Sequence, residues 1–154
     1  MRIIDDLDAD TVGRLLSSLF DKHCTVKADK VPSDPEQGMA VRGRFVDDQD
    51  NMVAVASADI PFAAFTGAAI AMLPVGGAED AIDDKELSGP LKEAYGEVLN
   101  VLSRLFNTPG RAHCRYLDMV PDVSGAPGFE AKIKARFSVD IEGYGKGCVT
   151  FLGG

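Results

Sequence analysis

Glu93, Glu97, Asn100 and Arg104 recur in steps of four, three and four, the spacing of one face of an α-helix. Leu91, Ala94, Tyr95, Val98, Leu99, Leu102, Leu105 and Phe106 recur in the same rhythm and take the opposite face. The stretch from Asp84 to Asn107 therefore reads as the longest helical pattern of the chain, with its true start between Asp84 and Ser88, a core side and a polar side. Glu97 and Asn100 would leave that polar side about 5–6 Å apart. A carboxylate at this position can grip a cationic group, while a carboxamide one turn away can orient a water by hydrogen bonding. A solvated surface is the other reading of the same residues. Two features weigh against it. Asn is a poor mid-helix residue because it competes for backbone hydrogen bonds. Glu93 and Glu97, at i and i+4, repel by a few tenths of a kcal/mol.

The rest of the chain must hold that face in place. Its 154 residues suffice for one core, and residues 1–154 read as a single domain. With 45% hydrophobic and 26% charged residues, the composition is that of an ordinary globular protein. A net charge of −8 and a pI near 4.7 make nucleic acid and anionic membrane surfaces poor partners. No apolar run approaches the roughly twenty residues of a membrane span. The start, MRIIDDLDADT, is acidic and unlike a signal peptide, so a cytoplasmic location is expected.

Cys24, Cys114 and Cys148 are far apart and odd in number, which suits free thiols. His23 and His113 each precede a cysteine, and two such pairs could in principle meet at a zinc ion. Neighbours on a strand point to opposite faces, so no metal is expected.

In chain order, residues from Asp8 to Lys22 read as a helix, capped by Asp8 or Asp10. A short strand from Cys24 to Ala28 follows. A hairpin of Met39 to Val46 and Met52 to Ala58 turns on Asp47, Asp48, Gln49, Asp50 and Asn51. That acidic turn lacks the glycine and terminal glutamate of a calcium loop and reads as solvated. Asp59 caps the helix PFAAFTGAAIAML, which is apolar nearly all round and so is packed on several sides or buried between subunits. Pro74, Gly76 and Gly77 end it. Glu79, Asp80, Asp83, Asp84 and Glu86 read as favourable charge ahead of the long helix.

Beyond the stop signal Asn107-Thr-Pro-Gly, a strand from Arg111 to Val120 leads into a loop from Asp122 to Gly128. Residues from Phe129 to Ile141 then alternate strictly, predicting one core face and one wet face. A turn of Gly143, Tyr144, Gly145, Lys146 and Gly147 returns the chain through Cys148 to Leu152. Hairpin connections predict an α+β fold, a mostly antiparallel sheet with helices packed on one face. The element order also hints at a duplicated half, although the two halves show no sequence match that would establish it.

The run Glu93-x-x-x-Glu97-x-x-Asn100, within KEAYGEVLNVL, resembles the signature of the CheC/CheX/FliY family of chemotaxis phosphatases. That signature is an acidic residue or serine, three residues, Glu, two residues and Asn on an exposed helix face. Gly96 before the glutamate and the aliphatic pair after it fit as well. So do the preceding strand and helix, MVAVASADIPFAAFTGAAIAML, the following strand ending in proline, and the C-terminal hairpin. The resemblance covers most of the chain. It is closer to CheX, because one Glu-x-x-Asn is present and the helix after Asp59 carries no second copy. The family usually continues with a small residue and a second Asn; here Ser103-Arg104-Leu105 stands there.

The resemblance implies a CheC/CheX-like fold and a phosphatase that hydrolyses the aspartyl-phosphate of a response regulator receiver domain in chemotaxis or two-component signalling. The receiver would supply Mg²⁺ and a lysine, so no cofactor is expected in this chain. Asn100 would orient the attacking water, much as a glutamine does in GTPases. Glu97 would pair with the receiver's lysine through a charge-assisted bond and fix the alignment. Glu93 would be an auxiliary or docking contact, and Arg104, one turn beyond Asn100, would either meet the partner or partly occlude the site. CheX-like members dimerise, so a homodimer is expected. The alternative is a non-catalytic interaction module or adaptor on the same fold, motivated by Arg104 and the missing second Asn. A small-molecule binding domain ranks below both, since no glycine-rich phosphate loop follows a strand.

Overall fold

The computed structural model describes residues 7–35, 37–107, 113–120 and 133–153. The expected loop 122–128 and the expected strand residues 111–112 and 129–132 lie outside them. Helix α1 (Ala9–Phe20) leads into β1 (Cys24–Asp29), β2 (Val41–Val46) and β3 (Met52–Ala58). Three helices follow: α2 (Ile60–Ile70), α3 (Val75–Asp84) and α4 (Gly89–Leu102), the last extended by a 3₁₀ turn (Ser103–Leu105). β4 (Arg115–Val120), β5 (Ile133–Ile141) and β6 (Gly145–Gly153) complete the order.

The strands form one sheet in the order β1-β5-β6-β3-β2-β4, with every neighbouring pair antiparallel. Exchanging β1 with β4, β2 with β5 and β3 with β6 reproduces this order read backwards. The fold is thus two half-repeats related by a pseudo-two-fold axis between β3 and β6, which the sequence only hinted at. Each half lends its first strand to the other, since β1 pairs with β5 and β4 with β2.

All the close helix–sheet contacts fall on one face. The register pairs Phe137 with Val149 and Val139 with Gly147, and Ala56 with both Phe151 and Gly43. These residues share the face on which α2 sits over Gly145 and Gly147, α4 over Gly43, and Gly13 of α1 over Val26. α2 is buried from Phe62 to Ala69 by α4, α3 and β6 of its own chain, so no subunit interface is needed to cover it. Gly145 and Gly147 were expected in a turn. They are strand residues instead, and they leave space for the ring of Phe65 and the backbone of Phe62, respectively.

The opposite face was expected to be wet, and in part it is not. Ser57, Thr150, Ser138, Arg42, Val55 and Leu152 are buried there. The β1–β2 connection lies over this face, where the Arg136 guanidinium donates to the carbonyl oxygens of Pro35 (3.0 Å) and Gln37 (3.3 Å). The same side chain donates to Thr150 Oγ1 at 2.7 Å.

The long helix starts at its Ser88 cap, the late end of the expected window from Asp84 to Ser88, and the residues before it belong to a separate helix. Asp84 is the last residue of α3, and Lys85 leaves it in a left-handed conformation, φ 56°. Glu79, Asp80, Asp83 and Asp84 therefore lie within α3 rather than ahead of the long helix. Asp83 and Asp84 stand at its C-terminal end, where negative charge opposes the helix dipole. α1 starts where expected: Asp8 is its cap, accepting from Thr11 N at 2.8 Å, and Asp10 instead pairs with Arg14.

A Cβ on Gly147 would lie 2.3 Å from the backbone N and 2.4 Å from the Cα of Phe62, atoms that cannot rotate aside. Gly147→Ala is expected to destabilise the protein by about 1–3 kcal/mol through overpacking. Gly77→Ala, with open space around it in α3, is expected to stabilise by about 0.5–1 kcal/mol through helix propensity. Urea unfolding of both variants checks the packing; shifts of the same sign would contradict it.

Candidate functional site on the outer face of helix α4

Helix α4 is set by its ends and by two close approaches. Ser88 caps the N-terminus, its Oγ accepting from Leu91 N at 3.4 Å, and the proline falls in the first turn, where it costs no hydrogen bond. Leu91, Ala94, Tyr95, Val98, Leu99 and Leu102 are buried. Leu99 presses on the sheet at Gly43, where an added Cβ would sit 2.5 Å from its Cδ2. On the other flank Gly67 of α2 brings the two helix backbones together, 3.2 Å from its Cβ position to Leu91 O. The rings of Phe62 and Tyr95 meet edge to face at 6.1 Å.

The Tyr95 hydroxyl is fully buried and, among the described residues, has no hydrogen-bond partner. Burial, and secondarily the Asp59 carboxylate, push its pKa far up, so it stays protonated and serves packing. Asp59 ties α2 to the sheet, accepting from Phe62 N at 2.8 Å and Cys148 N at 3.0 Å. Its own pKa is raised by burial, against the opposing effect of those bonds.

The far end of α4 is clamped by a residue the sequence showed only as a stop signal. Asn107 Nδ2 donates to Cys114 O (2.6 Å) and Ser103 O (3.1 Å), while its Oδ1 accepts from Cys114 N (2.7 Å). The amide imitates a strand neighbour and fixes the start of β4 against the helix end. Ser103 Oγ donates to Asn100 O at 2.6 Å.

The outer face is free of such bonds. Glu93, Glu97, Asn100 and Arg104 are all exposed. Among the described residues, no ion pair or hydrogen bond engages the side chains of Glu93, Glu97, Asn100 or Arg104. Glu93, Glu97 and Asn100 lie inside the regular helix. Arg104 lies past it, in the 3₁₀ turn, and makes no bond to Glu97 or Asn100. The pair thus stands on a rigid element with its polar atoms directed to solvent.

The other sequence candidates do not converge. Cys24 opens β1 and Cys114 precedes β4, at opposite edges of the sheet, so the two His–Cys pairs stay apart. His113 pairs with Asp48 at 2.9 Å, and among the described residues no group of three or more His, Cys, Asp or Glu side chains is placed to hold a metal ion. The three cysteines are free, and burial pushes the Cys114 thiol up to about 12. In the acidic turn Asp47 Oδ1 accepts from Gln49 N and Asn51 N, both at 2.9 Å, and Asp50 pairs with Arg115.

The pseudo-two-fold axis shows where a second copy of the pair would sit. It relates α4 to α1, not to the buried α2. Gly13 faces Val26 of β1 as Gly96 faces Tyr116 of β4. Matching these glycines puts Arg14 and Ser17 opposite Glu97 and Asn100. Ser17 Oγ is occupied by Cys24 N at 3.1 Å.

A six-stranded antiparallel sheet with helices on one face is the fold of the CheC/CheX/FliY family. Among solved structures, the chain is similar to the FliM middle domain of Vibrio alginolyticus, with a TM-score of 0.65 at 11% identity over 97% of this chain and 90% of that one. It is similar to Thermotoga maritima FliY, with a TM-score of 0.51 at 13% identity over 94% and 88%. It is also similar to a Borrelia burgdorferi structure of CheX in complex with CheY, BeF₃ and Mg²⁺, with a TM-score of 0.57 at 14% identity over 94% and 92%. At these identities the likeness establishes a shared fold. No family model matches the sequence, and no curated protein sequence matches it. No helix among the described residues is long and apolar enough to cross a membrane.

If Glu97 and Asn100 carry no structural load, Glu97→Ala and Asn100→Ala should each leave stability within about 0.5 kcal/mol of the unchanged chain. Thermal and urea unfolding measure this. A loss above about 1 kcal/mol for either would mark that side chain as part of the scaffold.

Proposed function

We propose that the chain is a CheX-like phosphatase that hydrolyses the aspartyl-phosphate of a response regulator receiver domain. The observation that carries this reading is the exposed, unengaged Glu97–Asn100 pair on a helix fixed from beneath by the sheet and from one flank by α2. An acyl phosphate needs no covalent enzyme intermediate if a water is held in line with phosphorus. Asn100 would hold that water through its carboxamide, and Glu97 would grip the receiver's lysine. Positioning of this kind tolerates little movement, which the packing of Leu99 on Gly43 supplies. The divalent ion belongs to the receiver's own site, and this chain contributes two side chains and a surface. Glu93 and Arg104 flank the pair as docking charges.

A second reading, a non-catalytic interaction module, draws on the FliM neighbours, one of them a structure of a FliG–FliM complex from H. pylori. Exposed Arg104 beside the pair is compatible with it. One assay separates the two. Receiver domains of the same organism are phosphorylated with acetyl phosphate, and loss of phosphate is followed with and without this protein. Accelerated loss is expected, with Asn100→Ala reducing the acceleration by about 100-fold or more while the fold persists. Binding without acceleration would favour the adaptor, and an undiminished rate in Asn100→Ala would sink the mechanism.

The proposed cytoplasmic homodimer rests on the resemblance to CheX. Sedimentation velocity at micromolar concentration is expected to give a species of twice the chain mass; a monomer would remove that part of the reading.

A further inference from the structure

Gly96 stands in the middle of α4, and the packing does not require it. A Cβ there would meet only Tyr116 Oη, at an ordinary contact distance of 3.8 Å. This sets it apart from Gly43 and Gly67, where the added atom would crowd Leu99 or the α4 backbone. Glycine weakens a helix interior, so its presence without a steric reason calls for another explanation. Gly96 lies one turn before Asn100, on the stripe Lys92, Gly96, Asn100 at i, i+4 and i+8. It also borders a cavity of about 670 Å³ between α4, β4 and the α3–α4 connection. Val41, Ile60, Leu87 and Met119 line its interior, with Lys92 and Glu93 among its walls.

We propose that Gly96 keeps this groove open and that the groove receives an apolar side chain of the same receiver domain that Glu97 and Asn100 act on; this rests on the reading above. The occupant follows from continuity. A partner whose phosphorylated aspartate reaches Asn100 must cover the surface one helical turn away, and that surface is the groove's mouth. The volume falls in the range of pockets that enclose an anchor group. Apolar anchors seated in such pockets carry most of the affinity of small interfaces. Lys92 and Glu93 place opposite charges side by side, matching an anchor flanked by one acidic and one basic residue.

The test is the dissociation constant of a receiver domain in its beryllofluoride–Mg²⁺ form, measured by calorimetry on the full chain. Gly96→Ala is expected to raise the melting temperature yet weaken binding severalfold, and Gly96→Leu to weaken it about tenfold or more. Met119→Glu reaches the groove from β4 and leaves the α4 surface untouched; it is expected to weaken binding similarly, with Met119→Ala as the milder variant should the charged one unfold. Binding within twofold of the unchanged chain for Gly96→Leu, or for the Met119 variants, overturns the proposal. If the unchanged chain binds a receiver without speeding dephosphorylation, the catalytic reading fails while the groove is still tested by the same constants. If it binds no receiver at all, both fail.

Discussion

The structure depends on one constraint: helix backbones must come nearer to the sheet, and to each other, than side chains allow. Gly43 admits Leu99, Gly147 admits Phe62, Gly145 admits Phe65, and Gly67 lets α2 and α4 touch. At Gly43, Gly145 and Gly147 a missing side chain on the sheet becomes burial of a large one on a helix. A buried Leu or Phe stabilises by about 1.5–3 kcal/mol relative to exposure, so a handful of such sites outweighs the entropic cost of the glycines. The approaches also immobilise α4 along two directions. A helix resting on flexible side chains would drift by fractions of an ångström, whereas one resting on backbone has little freedom to do so.

Rigidity is what a surface pair needs when it has no pocket walls of its own. Glu97 and Asn100 borrow nothing from neighbouring side chains; their placement comes from the helix alone. The buried face therefore acts on the exposed face through geometry, and Tyr95 illustrates the cost. Its hydroxyl is buried without a partner among the described residues, a loss of about 1–3 kcal/mol that the surrounding aromatic packing must offset.

Much of this was legible in the residues. The 3.6-residue rhythm of α4 is strong because one face is wholly buried and the other wholly polar. The hairpin of β2 and β3 announced itself by alternation around an acidic turn, and Asp8, Asp59 and Ser88 all cap as their types suggest. What failed did so for physical reasons. Helix α3 has two adjacent glycines near its start and buries only Ala78 and Ala81, so its apolar signal is small and its acids read as charge ahead of the long helix. Gly145 and Gly147 look like turn residues because composition cannot tell a glycine chosen for its dihedral freedom from one chosen for its size. The burial of Ser57, Thr150 and Arg42 on the second face arises from a loop crossing it, a tertiary event that leaves no local pattern. The clamp at Asn107 is hidden for the same reason, since its partner is the backbone of Cys114.

The exchanged first strands have a consequence for how the chain is made. Among the described strands β1 pairs with β5 alone, so Cys24 waits for Ile141 and Asp29 for Arg136. During synthesis the amphipathic α1 and its strand leave the ribosome long before any surface exists to receive them. The β5–β6 hairpin, emerging more than a hundred residues after β1, brings both β5 for β1 and β6 for β3. Such distant pairings slow folding, because a long loop must close before any contact rewards it. The nascent chain therefore leaves β1 without its sheet partner until β5 has emerged, the kind of unpaired strand edge that favours aggregation.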